Sequence, residues 1–132
     1  MSTILLVDDD NALRTMVKRL LTGLGHAVLE ARDGNEATRM CQEQQPDLVI
    51  TDLVMPDMEG LELIKTLRHT YEHVKIIAMS GGVRGERGNY LFMAESLGAD
   101  YTLEKPFSIE EFQSVVRWAT DAEPTPLSKT VV

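Results

Sequence analysis

Asp8, Asp9, Asp10, Asp52, Ser80 and Lys105 are the side chains of this sequence whose types and spacing could do chemistry together. Each stands at or just past the end of a short apolar run. The three aspartates follow Ile4-Leu5-Leu6-Val7, Asp52 follows Leu48-Val49-Ile50, Ser80 follows Ile76-Ile77-Ala78-Met79, and Lys105 follows Tyr101-Thr102-Leu103. Carboxylates crowded together repel and raise one another's pKa unless a cation compensates. Oxygen-only ligands of this kind suit Mg²⁺, which keeps several waters and shares its shell with phosphate oxygens. A carboxylate beside such a metal can attack phosphorus to give an acyl phosphate. The Lys105 ammonium would then neutralise phosphoryl oxygens, and the Ser80 hydroxyl would hydrogen-bond one of them. Phosphoryl transfer asks little more of a protein than this positioning and charge compensation. The residues point to a Mg²⁺-dependent aspartyl-phosphate site.

They can meet only if the apolar runs are neighbouring strands. A further run, Ala27-Val28-Leu29, makes five. The middle runs are apolar without alternation, as strands covered on both faces should be. Between the runs, apolar residues recur with helical period: Leu13, Met16, Val17, Leu20, Leu21 and Leu24 in one stripe, Leu61, Ile64, Leu67 and Tyr71 in another, and Ile109, Phe112, Val116 and Ala119 in a third. Ala37, Met40 and Cys41 mark a shorter helix, and Leu91, Ala94 and Leu97 one more. Asp10 or Asn11, Asp33 and Ser108 suit N-caps, the last within a capping-box pattern, Ser108-Ile109-Glu110-Glu111. Gly25 and Gly98 sit where helices should end. Five strands alternating with five helices imply right-handed crossovers and a doubly wound α/β fold, a parallel sheet with helices on both faces. Periodicity leaves two common strand orders open, and both place ligands at the carboxyl ends of the strands. Residues 1–120 are expected to form one domain. Residues 121–132, with Pro124 and Pro126, lose periodicity and are expected to form a flexible tail.

Composition excludes several functions. At 132 residues the chain suits a single domain, and 43% hydrophobic with 26% charged residues is globular. Thirteen basic against twenty-one acidic residues leave a charge of −8, which argues against direct DNA binding and against anionic lipid. Cys41 is the single cysteine, so there is no disulfide framework and no cysteine cluster for zinc; it is expected to pack as a small buried hydrophobe. His26, His69 and His73 share no metal motif. The first apolar run is four residues long and ends in aspartates, unlike a signal peptide. No stretch approaches the ~20 apolar residues that span a bilayer. A cytoplasmic domain is expected.

Over about residues 3–120 the chain resembles the receiver domain of two-component response regulators, of the single-domain chemotaxis-regulator kind. The resemblance rests on Leu6-Val7-Asp8-Asp9-Asp10, on Asp52-Leu53-Val54-Met55-Pro56-Asp57-Met58-Glu59-Gly60, on Ser80-Gly81, on Leu97-Gly98-Ala99-Asp100 and on Glu104-Lys105-Pro106-Phe107, in that order and each after an expected strand. It implies a flavodoxin-like (βα)5 fold with strand order 2-1-3-4-5. It implies that Asp52 accepts a phosphoryl group from a sensor histidine kinase or a histidine phosphotransfer protein. Asp9, Asp52 and the Val54 backbone carbonyl would hold Mg²⁺, with Asp8 helping directly or through water. Lys105 would pair with the phosphoryl group and Ser80 would move toward it, biasing a surface that binds a downstream protein. Such a chain is a signalling module that promotes its own phosphotransfer and autodephosphorylation, and no effector domain is expected in it. The Lys105-Pro106 bond is commonly cis in the family.

The sequence departs from the family pattern at Thr102, where a Tyr or Phe usually stands, while Tyr101 lies one residue earlier and should face the other side of its strand. The stretch Gly81 to Gly88 holds four glycines; it is expected to be mobile, with the next helix starting late, near Arg87 to Tyr90. No Gly-Lys-Ser/Thr follows it, so it is not a P-loop. Two other functions fit these residues less well. A phosphatase of the haloacid dehalogenase kind should carry an acid/base aspartate two residues after its nucleophile, and that position is Val54. An inert interaction domain would not need the full set Asp8, Asp9, Asp52, Ser80 and Lys105.

Overall fold

The computed structural model describes residues 2–53, 59–81 and 87–120. Its elements run β1 (Thr3–Val7), α1 (Asn11–Gly23), β2 (Ala27–Ala31), α2 (Gly34–Gln44), β3 (Leu48–Asp52), α3 (Glu59–Thr70), β4 (Lys75–Ser80), α4 (Arg87–Leu97), β5 (Tyr101–Glu104) and α5 (Ile109–Thr120). The described part of the fourth helix runs from Arg87, directly after residues 82–86, which lie outside the described residues. Val54, the segment 82–86 and the tail at 121–132 lie outside the described residues, so the expectations placed on them have no structural counterpart.

The strands form one parallel sheet in the order β2-β1-β3-β4-β5. This is the flavodoxin-like order that the family resemblance implies. Residues of alternate parity in each strand face opposite layers. Leu5, Val7, Val49, Ile76 and Ala78 pack with Ala37 and Cys41 of α2, Ile64 and Leu67 of α3 and Ala94 of α4. Ile4, Leu6, Leu48, Ile50, Ile77, Met79 and Leu103 pack with Val17 and Leu21 of α1 and Phe112, Val116 and Ala119 of α5. Helices cover both faces, which is why the central strands carry no polar alternation.

Local signals act where they stand. The Asp10 carboxylate caps α1 by accepting from the amides of Ala12 and Leu13. Asp33 accepts from the Glu36 amide at the start of α2. Ser108 and Glu111 make the reciprocal pair of a capping box, at 2.9 and 3.0 Å. Gly25 and Gly98 take positive φ at the ends of α1 and α4. Three members of the apolar stripes are exposed: Met16 at 50%, Ile109 at 57% and Leu24, the C-cap residue of α1, at 37%. Met16 lies about 100° round the helix from buried Val17, at the rim of the stripe. Ile109 is the first residue of α5. Helical period gives an angular position and not how far the sheet extends beneath it.

Arg68, near the end of α3, closes the pole of the sheet opposite the chemistry. Its guanidinium donates to the carbonyls of Glu72 (2.8 Å), Val74 (2.9 Å) and Gly98 (2.9 Å) and to Asp100 Oδ2 (2.8 Å), while the same Asp100 oxygen accepts from the Ile76 amide. One planar fork thus satisfies helix-end and loop carbonyls and joins the α3–β4 and α4–β5 connections. Arg68→Ala is expected to lower stability by about 2–3 kcal/mol in urea unfolding, because several acceptors lose a charged donor at once. Arg68→Lys should recover less than half of this, since an ammonium on a flexible stem does not reproduce the fork.

Candidate functional site

The expected residues converge at the carboxyl ends of β1, β3, β4 and β5. Asp52 is the last residue of β3 and Ser80 the last of β4, and the Leu53 amide donates to the Met79 carbonyl at 2.9 Å, holding these two strand ends together. The Lys105 amide donates to the Ser80 carbonyl at 2.8 Å, which continues the β4–β5 pairing as far as the lysine. Asp8 directly follows β1, its amide donating to the Ala31 carbonyl of β2. The Lys105–Pro106 bond is cis, as the resemblance implies.

Lys105 Nζ stands 3.1 Å from Asp52 Oδ1 and 3.7 Å from Asp8 Oδ2. Asp8, Asp52 and Ser80 are all buried. Asp8 Oδ1 accepts from the Asp10 amide at 2.9 Å, but among the described residues its Oδ2 accepts no hydrogen bond. The Ser80 hydroxyl is likewise buried with no hydrogen-bond partner among the described residues. Burial pushes the Asp8 carboxyl up to about 6, the Asp10 amide works against this, and the Asp52 charge adds to it. One carboxylate oxygen from each of Asp8, Asp9 and Asp52 lies within 4.8 Å of the others. An all-oxygen donor set, one member of which is buried with an oxygen lacking a hydrogen bond, fits Mg²⁺ well. Of the expected ligands, only the Val54 carbonyl falls outside the described residues.

Tyr101 packs on the α1–α5 side of the sheet, its ring centroid 6.5 Å from that of Trp118. Thr102, the next residue, faces the opposite layer, so Tyr101 does not take the place of the missing aromatic. Cys41 is buried, and burial pushes its thiol up to about 11, consistent with a packing role.

Two supports of the site escaped the sequence reading. Arg14 of α1 grips the Asp8 carbonyl, and its signal in the sequence is only that of a helix-surface arginine. Gly60, in the first turn of α3, presses on the backbone of the acceptor strand: a Cβ there would meet the Asp52 carbonyl oxygen and come within 2.6 Å of Leu53 Cα. Backbone cannot swing aside as a side chain can. Gly60→Ala is therefore expected to destabilise the fold by about 2 kcal/mol through overpacking, readable in urea unfolding, and to displace the end of β3.

A parallel (βα)5 sheet whose strand ends gather three carboxylates, a hydroxyl and a lysine defines a phosphoacceptor class of domain. Comparison with known proteins agrees. The model of the response regulator receiver domain matches residues 4–117, and the chain belongs to that family. It is 38% identical over 128 residues to a DNA-binding transcriptional regulator NtrC of Azospirillum brasilense, covering 95% of this chain and 25% of that protein. It is 35% identical to the response regulator MprA of Mycolicibacterium vanbaalenii, over 86% of this chain and 48% of that one. The chain thus spans half or less of the length of these relatives. Among solved structures, the chemotaxis response regulator CheY4 of Vibrio cholerae matches with a TM-score of 0.78 and 30% identity, over 90% of this chain and 98% of that one. The receiver domain of NtrX from Brucella abortus matches at 0.83 with 26% identity, over 91% and 99%. The general role of this chain is accordingly that of a signalling module of two-component systems, activated by phosphorylation. Among the described residues no helix is long and apolar enough to cross a membrane.

Proposed function

We propose that Asp52 is the phosphoacceptor, and that its donor is the phosphohistidine of a sensor histidine kinase or a histidine phosphotransfer protein. An Asp52 carboxylate oxygen attacks phosphorus, the O–P bond forms as the P–N bond breaks, and the imidazole leaves as the proton acceptor. Asp8, Asp9 and Asp52, with the Val54 carbonyl, would hold Mg²⁺, which would supply charge neutralisation at the phosphoryl oxygens. Lys105 transfers its attraction from the Asp52 carboxylate to a phosphoryl oxygen, and the Ser80 hydroxyl donates to another. Attack of water on the same phosphorus returns the carboxylate, which is autodephosphorylation. The observation that carries this reading is Lys105 Nζ at 3.1 Å from Asp52 Oδ1, with the Asp8 oxygen that accepts no hydrogen bond alongside.

Residues 1–120 act as the receiver and 121–132 as a tail, in the cytoplasm, with no direct contact to DNA or membrane. The output is a surface that binds a downstream protein. Phe92, 69% exposed, and the partly exposed Met93 on α4, together with Trp118 on α5, offer it apolar anchors beside β5. Intact-mass spectrometry after incubation with Mg²⁺ and acetyl phosphate tests the chemistry. Wild-type protein is expected to gain one phosphoryl group, and only when Mg²⁺ is present.

A further inference from the structure

We infer that Arg14, braced by Glu30, is a positioning residue for the metal site: it fixes the peptide unit between Asp8 and Asp9 and thereby sets the affinity for Mg²⁺. This rests on the reading of Asp8, Asp9 and Asp52 as Mg²⁺ ligands given above. Arg14 Nη1 donates to the Asp8 carbonyl at 2.7 Å. Its Nε donates to Glu30 Oε1 at 3.0 Å and its Nη2 to Asn11 Oδ1, at 2.6 Å. The side chain is only 12% exposed. Glu30 lies on β2, paired in register with Leu6 of β1, and its second oxygen is held by Lys18 Nζ at 3.1 Å. The guanidinium is therefore clamped between a strand and a helix before it touches the turn.

A peptide unit is planar, so holding the Asp8 carbonyl also fixes the direction of the Asp9 amide and the course of the chain at Asp9. This matters because the two carboxylates are held differently. Asp8 is anchored by its own buried side chain and by the Asp10 amide. Asp9 is exposed, and among the described residues no hydrogen bond or ion pair restrains its carboxylate. Its place beside Asp8 and Asp52 is set by the backbone alone, and the Asp8 carbonyl is the part of that backbone that Arg14 grips. Glu30 balances the Arg14 charge, so the brace acts through geometry more than through field. Groups that orient metal ligands typically change metal affinity by an order of magnitude or more when removed.

The test is Mg²⁺ binding by isothermal titration calorimetry on wild type, Arg14→Ala, Arg14→Lys, Glu30→Gln and Asp9→Asn, with the rate of acetyl-phosphate labelling measured against Mg²⁺ concentration. Arg14→Ala is expected to raise the Mg²⁺ Kd by about tenfold, with the loss appearing in the Mg²⁺ needed for half-maximal labelling far more than in the rate at saturation. Arg14→Lys should fail to restore binding, because it cannot hold Glu30, Asn11 and the carbonyl together. Glu30→Gln should weaken binding by a smaller factor. A Kd for Arg14→Ala equal to wild type overturns the inference while leaving the metal reading intact. Should Arg14→Ala not fold, Glu30→Gln decides, an unchanged Kd overturning the brace. Wild type that binds no Mg²⁺ more tightly than Asp9→Asn overturns the metal reading itself, and the brace with it.

Discussion

Incubated with Mg²⁺ and acetyl phosphate, Asp52→Asn protein is expected to keep its unmodified mass while wild type gains a phosphoryl group. The amide has the size of the carboxylate and still offers an oxygen to Lys105, so the fold should survive. It is not a nucleophile toward phosphorus, so the chemistry should not. The other two carboxylates cannot take over. Asp8 Oδ1 is engaged with the Asp10 amide, and its Oδ2 stands farther from Lys105 Nζ than Asp52 Oδ1 does, at 3.7 against 3.1 Å. Asp9 is exposed, while Lys105 is ion-paired with Asp8 and Asp52. Labelling of Asp52→Asn to the wild-type level would place the acceptor elsewhere and sink the assignment.

Without metal, Asp8→Asn is expected to be more stable than wild type near neutral pH, by on the order of 2 kcal/mol. The Asp8 carboxyl rises from an ordinary 3.8 to about 6 in the folded protein, chiefly through burial. The folded state therefore binds more protons than the unfolded state between these values, and stability falls as pH rises across that window. The favourable contribution is complete below about 4 and lost above about 6. Asparagine carries no such charge, so the advantage of the variant should be present at about pH 8 and shrink toward about pH 4. Urea unfolding with a chelator at both ends of the window measures it. Mg²⁺ should narrow the gap by stabilising wild type through mass action, and it should do so less as protons compete for Asp8 below about pH 6. A variant less stable than wild type at about pH 8 would contradict a buried carboxylate whose desolvation outweighs the Asp10 amide and Lys105 beside it.

Much of this molecule was legible before any fold was known. Strand ends and helix caps are short-range matters. Asp10, Asp33 and the Ser108–Glu111 pair cap the helices they precede because each bonds amides within three residues. The site was legible because parallel α/β sheets gather their strand ends on one rim, so residues past each strand must meet. What the sequence could not show were contacts whose partners are remote and whose residue types are ordinary. Arg14 with Glu30 and Arg68 with Asp100 both look like solvated surface charges until the partner strand or loop is brought to them. Gly60 stands in the motif that carries the resemblance, but that its Cβ position is filled by the backbone of Asp52 and Leu53 shows only in the fold.

By itself the sequence determined which faces of each element are apolar, the order of strands and helices, and which reactive groups stand at the strand ends, because these depend on neighbours along the chain. The tertiary structure decided what stands beside what. It chose β2-β1-β3-β4-β5 over the other doubly wound order that periodicity left open. It brought Lys105 to Asp52 across 53 residues, and it buried Asp8 with one oxygen that accepts no hydrogen bond. Periodicity is a property of one segment. Electrostatic pairing and desolvation depend on distances between segments, and those distances exist only once the sheet has closed around its core.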